Sequence, residues 1–461
     1  MRVPWGVGRF ERVLVYGLGL SGRAAARLLL GYGVEVVAVD ARSADKLDLG
    51  DLAGRIELFL GEEPSELPTD VDGVVVSPGV PMDRPLLADA RRLRVPVIAE
   101  VELAFPFLNG PVVAITGSNG KSTTTALTGA MLRAAGLQVE VCGNIGEPLA
   151  GKVEGPPGRI FVVELSSFQI EGIATFEPRA AALLNLAEDH LDRYGSMAAY
   201  GAAKKRLFRD QDAAEVAVVN ADDPETLNVE TGARKRLFSR LGPVEDGCWA
   251  DAEGRVVEVS PGEPDVLLFH ASDVPLAGVQ NLENAMAAAL LARSVGADPA
   301  GLREGLRGFA GLPHRLQKVG ERGGVTWYDD SKGTNPAATL KSLEGFADGS
   351  VHLILGGRNK GADLAVLAPM VGRKARRAYL IGEAAEEIAR GLGGSVAFEM
   401  AETMERAVRS AAAEAREGEA VVLSPACASF DQFRNFAHRG EVFQSLVRSV
   451  VGGPDGEEAR V

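Results

Sequence analysis

Cysteine is scarce, with three residues in 461 (Cys142, Cys248 and Cys427), and none stands in a CxxC pair. Neither a disulfide framework nor a cysteine-held zinc site is suggested, and the scattered thiols read as buried small hydrophobes of a reducing compartment. Long apolar runs are missing too: nothing approaches the roughly 18 residues that span a bilayer. The opening residues MRVPWGVGRFER lack the apolar stretch of a secretory leader. The expectation is a cytoplasmic, monomeric protein with no membrane partner. Positive charge is in deficit, at 49 Lys and Arg against 63 Asp and Glu, a net −14. A nucleic-acid partner is disfavoured, because gripping a polyanion needs clustered Lys and Arg, whereas a small phosphorylated ligand is still allowed.

What is present is a globular composition, 46% hydrophobic and 24% charged, in a chain too long for one core. Short Val-rich runs alternate with helical segments (RVLVY, VEVVAVD, DGVVVSPG, VPVIAE, then PVVAIT, IFVVE, AALLNL, AEVAVVNADD). Such alternation predicts parallel βαβ units. Residues 232–275 read as antiparallel strands, with DAEG at 251–254 as a hairpin connection. After Pro313-His314 a third series follows: TWYDD, HLILGG, RAYLIG, SVAFEM and AVVLSPA. The fold expected is three consecutive α/β domains: a Rossmann-like one over 1–107, a P-loop ATPase-like one over 108–312 and a Rossmann-like one over 313–461. The tail GGPDGEEARV reads as frayed.

Residues 16–22, YGLGLSG, follow a strand and open a helix, and Asp40 ends the next strand. A glycine turn there offers backbone N–H groups and a positive helix end to a diphosphate, so a nucleotide or nucleotide-sugar is expected; a tight turn that binds nothing is the plain alternative. Sharper is PVVAIT running into Gly117-Ser118-Asn119-Gly120-Lys121-Ser122-Thr123. The glycines let the loop wrap phosphate oxygens, Lys121 supplies a point charge, and the Ser122 or Thr123 hydroxyl can face Mg²⁺. The spacing is not that of a standard P-loop, since Ile115 stands where the first glycine would be. Glu164 ends the strand IFVVE, where a hard cation finds an oxygen ligand. Asn185 to Asp192 gathers acceptors around His190. From the residues alone these features indicate a nucleoside triphosphate, Mg²⁺ and a second phosphorylated ligand; they do not indicate a ligase.

The strings TGSNGKST, GNIG (143–146), ELSSFQ (164–169), NLAEDHLDRY (185–194), AAK (202–204), LPHR (312–315) and DDSKGTNP (329–336) resemble the Mur ligase family in order and spacing. SPACASFDQFRNFAHRG (424–440) is similar to the branch of that family that adds D-glutamate. The resemblance implies an ATP-dependent amide ligase of peptidoglycan precursor synthesis, with UDP-N-acetylmuramoyl-L-alanine and D-glutamate as substrates and an acyl phosphate between them. It places Lys121, Glu164, His190 and Lys204 in catalysis, with Ser122, Glu164 and His190 toward the metal. Lys204 resembles the family lysine carried as N6-carboxylysine, whose carbamate can bind Mg²⁺ where an ammonium cannot. ATP is expected on residues 117–123, Asn284, Arg315, Asp330 and Lys332. The UDP-sugar is expected on Leu20, Ser21, Asp40, Arg42, Ser77, Pro78, Gly79, Asn144 and Gly146, and D-glutamate on Thr334, Lys360, Ser424 and Phe433. No DNPR string is present, which speaks against the diamino-acid-adding branch. Other amino-acid ligases of the family, and a nucleotide-dependent oxidoreductase or plain UDP-sugar binder, are the rivals; neither of the last two needs a phosphate loop with Glu164.

Overall fold

The Val-rich runs become three sheets, seen in a computed structural model that describes residues 10–276 and 278–451, apart from the Asp192 side chain. The tail 452–461, expected to fray, lies outside the described residues. The first sheet holds β1 (Arg12–Tyr16), β2 (Glu35–Asp40), β3 (Glu57–Leu60), β4 (Gly73–Val76) and β5 (Val97–Ala99), all parallel, in the order β3-β2-β1-β4-β5. Its strand order reverses between β1 and β4, the crevice where open α/β sheets bind ligands.

The second sheet runs β14-β13-β12-β11-β10-β9-β6-β8-β7. Its strands are β6 (Val112–Thr116), β7 (Val139–Gly143), β8 (Ile160–Glu164), β9 (Ala180–Leu183), β10 (Val216–Asn220), β11 (Arg234–Ser239), β12 (Gly247–Ala250), β13 (Arg255–Val259) and β14 (Val266–His270). β6 and β8 are buried at every position, the pattern of strands covered on both faces. The expectation of antiparallel strands throughout 232–275 holds only from β12 on: β11 lies parallel to both β10 and β12, and β12 to β14 form the meander, joined first at 251–254. Side-chain alternation has the same period in either strand direction, so it could not have told them apart.

The third sheet contains β15 (Gln317–Arg322), β16 (Val325–Asp329), β17 (Val351–Gly356), β18 (Ala375–Ile381), β19 (Phe398–Glu402) and β20 (Ala420–Leu423), ordered β15-β16-β20-β17-β18-β19. β15, antiparallel on the edge, was not among the expected strands; its QKVGER is polar and largely exposed and carries little strand signal.

Two kinds of joint hold the sheets together. The first two share one apolar core that runs from Val13 and Val15 through Val101 to Val112 and Phe161. The cores under the third sheet draw only on residues from Leu316 onward. At the first joint Glu102, fully buried, accepts from the backbone N–H groups of Ala174 (2.9 Å), Thr175 (2.8 Å) and Phe176 (3.0 Å) and from the Thr175 hydroxyl (2.7 Å). It thereby ties the short helix after β5 to the turn after helix Ser167–Glu171. Glu102→Ala takes the acceptor from all four donors, of which the Phe176 N–H is buried, and the expected loss is about 1–3 kcal/mol of unfolding free energy. Denaturant unfolding checks this; a loss under about 1 kcal/mol would mean the joint does not depend on that carboxylate.

Candidate active site

Strand β6 delivers the chain to its glycine loop at the C-terminal edge of the second sheet. Gly117 (φ 149°) and Gly120 (φ 83°) adopt conformations that side chains disfavour, and a Cβ on Gly120 would lie 2.2 Å from Asn284 Oδ1. Helix Lys121–Ala134 starts there, so its N-terminal N–H groups point out of the sheet. Lys121 folds back over the loop, donating to the carbonyls of Gly117 (2.9 Å) and Ser118 (2.8 Å). Burial pushes its pKa down, against the pull of Glu164 and Asp189.

Two cavities meet at Asn119, Gly120, Arg315 and Lys332. One, of about 360 Å³, runs between the second and third sheets and is lined by Asn281, Asn284, Leu241 and Asp330. Asn284 accepts from the Thr124 hydroxyl (3.2 Å) and donates to Asn281 (3.1 Å), so it is fixed at the pocket wall. Asp330 is buried and accepts from the hydroxyls of Ser342 and Ser424 (2.7 Å each) and from Leu316 N–H (3.2 Å). Burial dominates and raises its pKa to about 6. Lys332 lies 3.8 Å from the Phe436 ring centroid, with its pKa lowered to about 8, by burial first and then by Arg315.

The other cavity, of about 430 Å³, brings together Lys121, Ser122, Glu164, His190, Lys204, Arg315, Lys332, Thr334 and Lys360. Glu164 ends β8; its Oε1 accepts from Asn144 Nδ2 (2.8 Å), while Oε2 is buried with no hydrogen-bond partner among the described residues. A carboxylate oxygen withheld from water and left without a donor is a ligand position for a hard cation, so the residues present fit Mg²⁺. No group of three or more His, Cys, Asp or Glu stands together among the described residues, so a cation here would also need hydroxyl and phosphate oxygens. His190 opens helix Leu191–Tyr194 in the left-handed region (φ 53°), its ring 4.9 Å from that of Phe168. Lys204 is 1% exposed on helix Met197–Lys205, its ammonium 4.6 Å from the Tyr200 ring centroid and outside ion-pair distance of any described carboxylate. Burial, and then the charge of Lys121, drive its pKa far down.

Three polar contacts carry the third sheet onto this cavity. Arg315 Nη2 donates to Ser122 Oγ (2.6 Å), Lys360 Nζ pairs with Asp189 Oδ1 (2.5 Å), and Asn335 Nδ2 bridges Asn119 Oδ1 and Asp189 Oδ2 (3.3 Å each).

At the first sheet, Leu20, Ser21, Asp40, Arg42, Ser77, Pro78 and Gly79 gather beyond the C-terminal ends of β1, β2 and β4. Asp40 is largely buried and already hydrogen-bonded within the chain. Its carboxylate accepts from Leu18 N–H (2.7 Å) and from the Arg42 backbone and guanidinium. Burial would raise its pKa, but these donors outweigh burial and hold it at about 2. Asp40 thus shapes the turn, and the half-exposed Arg42 is left facing outward. The turn needs Gly22 as well, because a Cβ there would strike Gly17 O at 1.8 Å. Asn144 likewise orients Glu164, with Gly146 beside it in an exposed turn (φ 65°).

For the expected amino-acid group, Thr334 and Lys360 line the larger cavity, but Ser424 and Phe433 do not. Ser424 is sealed beneath Asp330, and Phe433 packs into the third sheet's core. Their places on the wall are taken by Ser429 and Phe436, with Phe430 64% exposed between them. The repeated Ser and Phe of SPACASFDQFRNF gave no means of telling which pair faces outward. Asp189, Asn335 and Tyr200 were also not singled out; the signal for Asp189 was present in the acceptor-rich loop around His190.

Family models match nearly all of this scaffold. Residues 11–99 match the MurD-like, N-terminal domain of Mur ligases, 115–292 the Mur ligase middle domain, and 314–427 the Mur ligase glutamate ligase domain. The UDP-N-acetylmuramoylalanine--D-glutamate ligase of Pelotomaculum thermopropionicum is 42% identical over 452 residues, 96% of this chain and 98% of that one. That of Acidobacterium capsulatum is 43% identical over 460 residues, covering 97% and 98%. Among solved structures, the UDP-N-acetylmuramate-alanine ligase of Thermotoga maritima superposes with a TM-score of 0.59 at 19% identity, covering 95% of this chain and 99% of that one. The MurF ligase of the same organism, in complex with ADP, gives 0.59 at 18% identity, covering 96% of each chain. Structures so distant in sequence attest the fold, and the close relatives attest more: the chain belongs to the Mur ligase family.

Proposed function

We propose that this chain is the ATP-dependent ligase that joins D-glutamate to UDP-N-acetylmuramoyl-L-alanine in peptidoglycan precursor synthesis, as its 42%-identical relatives are named. One observation carries the reading. A phosphate loop, a carboxylate with a bare oxygen and a lysine reaching in from another sheet line a single cavity. The working units are 1–107 for the nucleotide-sugar, 108–312 for ATP and 313–461 for the amino acid, in a cytoplasmic monomer; no helix of the described residues is long and apolar enough to cross a membrane.

In this reading adenosine enters the smaller cavity, with Asn284 beside the base and Asp330 accepting from the ribose. Residues 117–123 wrap the phosphates, and Lys121, Arg315 and Lys332 neutralise them. The diphosphate of the sugar nucleotide lies over the turn at Leu20 and Ser21, with Asp40 and Arg42 toward the uracil and Ser77, Pro78, Gly79, Asn144 and Gly146 along the rest of the ligand. Ser122, Glu164, His190 and Lys204, the last as its carbamate, would hold Mg²⁺, which supplies charge neutralisation at the transferring phosphoryl group. The alanyl carboxylate attacks the γ-phosphorus and ADP departs. The amine of D-glutamate then attacks the acyl carbon, and phosphate leaves. Lys360, Thr334, Ser429 and Phe436 surround the incoming amino acid. The clamp of Arg315 on Ser122 keeps water from the acyl phosphate, which it would otherwise hydrolyse.

Phosphate release in the presence of ATP, Mg²⁺ and UDP-N-acetylmuramoyl-L-alanine is the direct test. D-Glutamate should stimulate it, L-alanine and a diamino acid should not, and Lys121→Ala should lose about a thousandfold or more in kcat/KM. Stimulation by another amino acid and not by D-glutamate defeats the specificity.

Asp330 generates a pH prediction. Its folded pKa is raised from 3.8 to about 6, so the cost of its buried charge is absent below about pH 4, grows between pH 4 and 6, and is full above that. Asp330→Asn should therefore be more stable than the parent at pH 7, by about 1–3 kcal/mol, with no difference near pH 4. The KM for ATP should rise at the same time. Unfolding curves at the two pH values and ATP kinetics check both halves; a variant less stable at pH 7 would contradict burial as the cause of the shift.

A further inference from the structure

The proposed substrate brings a problem of charge that the residues already placed do not solve. D-Glutamate carries two carboxylates and an ammonium, so it needs an anionic partner as well as cationic ones. The larger cavity is rich in cations: Lys121, Arg315, Lys332 and Lys360 line it, against two carboxylates, Glu164 and Asp189, with Lys204 assigned above as a carbamate toward the metal. Glu164 stands beside the phosphate loop with one oxygen on Asn144 and the other bare. Asp189 is on the amino-acid side. It shares a smaller recess with Thr334, Asn335, Lys360 and Ala426, the same wall on which the amino acid is expected.

Asp189 Oδ1 takes the Lys360 ammonium at 2.5 Å and its Oδ2 the Asn335 amide at 3.3 Å, and its side chain is 10% exposed. A lysine from the loop after β17 and a carboxylate from the loop after β9 therefore satisfy each other across the cleft.

We infer that Asp189 recognises the ammonium of the incoming amino acid, and that Lys360 and Asp189 together form a zwitterion subsite into which D-glutamate inserts. A carboxylate of the amino acid takes over Lys360, and the ammonium takes over Asp189. One ion pair is exchanged for two, so an amino acid with both charges is bound better than a diacid lacking the amine. The diacid must pull Lys360 from Asp189 and leaves that carboxylate buried without a cation. Asp189 is thus a specificity determinant for an amine substrate, and the assignment rests on the D-glutamate reading above.

The test pairs two ligands of the whole enzyme, with ATP and UDP-N-acetylmuramoyl-L-alanine saturating. D-Glutamate is the substrate; glutarate, the same diacid without the amine, is the competitor. In Asp189→Asn the KM for D-glutamate should rise about ten- to a hundredfold, the size of one charge-assisted hydrogen bond, while glutarate inhibits as well as or better than before because Lys360 has been released. The KM values for ATP and the nucleotide sugar should stay within about twofold. An unchanged KM for D-glutamate overturns the assignment. So does a parallel weakening of glutarate, or of ATP and the nucleotide sugar, which would mark a general disturbance of the loop. The parent enzyme gives an answer that needs no variant: glutarate and D-2-hydroxyglutarate should each inhibit with a constant about tenfold or more above the KM for D-glutamate, and near-equality overturns the proposal. Failure of the parent to respond to D-glutamate at all would instead remove the reading on which the proposal stands.

Discussion

The third sheet is held against the other two by charge and hydrogen bonding where apolar burial would have made a permanent joint. The first two sheets share a continuous core, and Glu102 with its four donors locks them further. Across the other gap stand Arg315 on Ser122, Lys360 on Asp189, Asn335 on Asn119 and Asp189, and at the rim Arg240 and Lys341 near Glu344 and Glu283. Contacts of this kind are worth little where water reaches them and more where it does not. In the reading proposed above, the same side chains serve as contacts between the sheets and as ligand contacts. An active site assembled from two bodies this way is complete only when they meet.

That arrangement accounts for the abnormal protonation of the site. Lys121, Lys204, Lys332 and Arg315 all have lowered pKa values, with burial the largest cause in each, and no described carboxylate lies close enough to pair with any of them. Buried cations without partners destabilise a fold unless a ligand completes them. Lys121 is met by loop carbonyls and Lys332 by the face of Phe436, and in the reading proposed above a triphosphate completes these two and Arg315. The strain is concentrated where binding relieves it.

Much of this was legible in the chain because the phosphate loop and the strand-end carboxylate are local features. GSNGKST after PVVAIT places its lysine at the mouth of a helix through neighbouring residues alone, and Glu164 needs only to end IFVVE. Three α/β domains could likewise be read from the period and length of the Val-rich runs. Less legible was anything decided across the fold. Asp40, expected toward a ligand, also bonds Leu18 and Arg42 with its two oxygens, contacts set by how β1 and β2 lie side by side. Asn144, expected toward the sugar nucleotide, also bonds Glu164 across neighbouring strands. Ser424 and Phe433 were taken from a segment whose serines and phenylalanines alternate too regularly for sequence to rank, and burial by β20 and the third core chose Ser429 and Phe436.

The segment 424–440 does more than supply wall residues, and Arg439 shows why its spacing is strict. Arg439 is fully buried without a carboxylate at ion-pair distance among the described residues, and its pKa is lowered to about 10, by burial above all. It donates to Ser331 O (2.8 Å) and Oγ (3.0 Å), to Cys427 O (3.1 Å) and to Gly356 O (3.5 Å). Those acceptors begin or flank three loops: the one carrying Asp330, Lys332 and Thr334, the one leading to Lys360, and the one carrying Ser429. The next residue must be glycine, since a Cβ on Gly440 would lie 2.1 Å from His314 Nδ1, and His314, paired with Asp329 at 2.7 Å, directly precedes Arg315. A guanidinium with five donors in one plane suits this task better than an ammonium could, because it ties several carbonyls in fixed directions at once. The loop carrying Asp330, Lys332 and Thr334, the loop leading to Lys360 and the loop carrying Ser429 are therefore held in mutual register from one buried point.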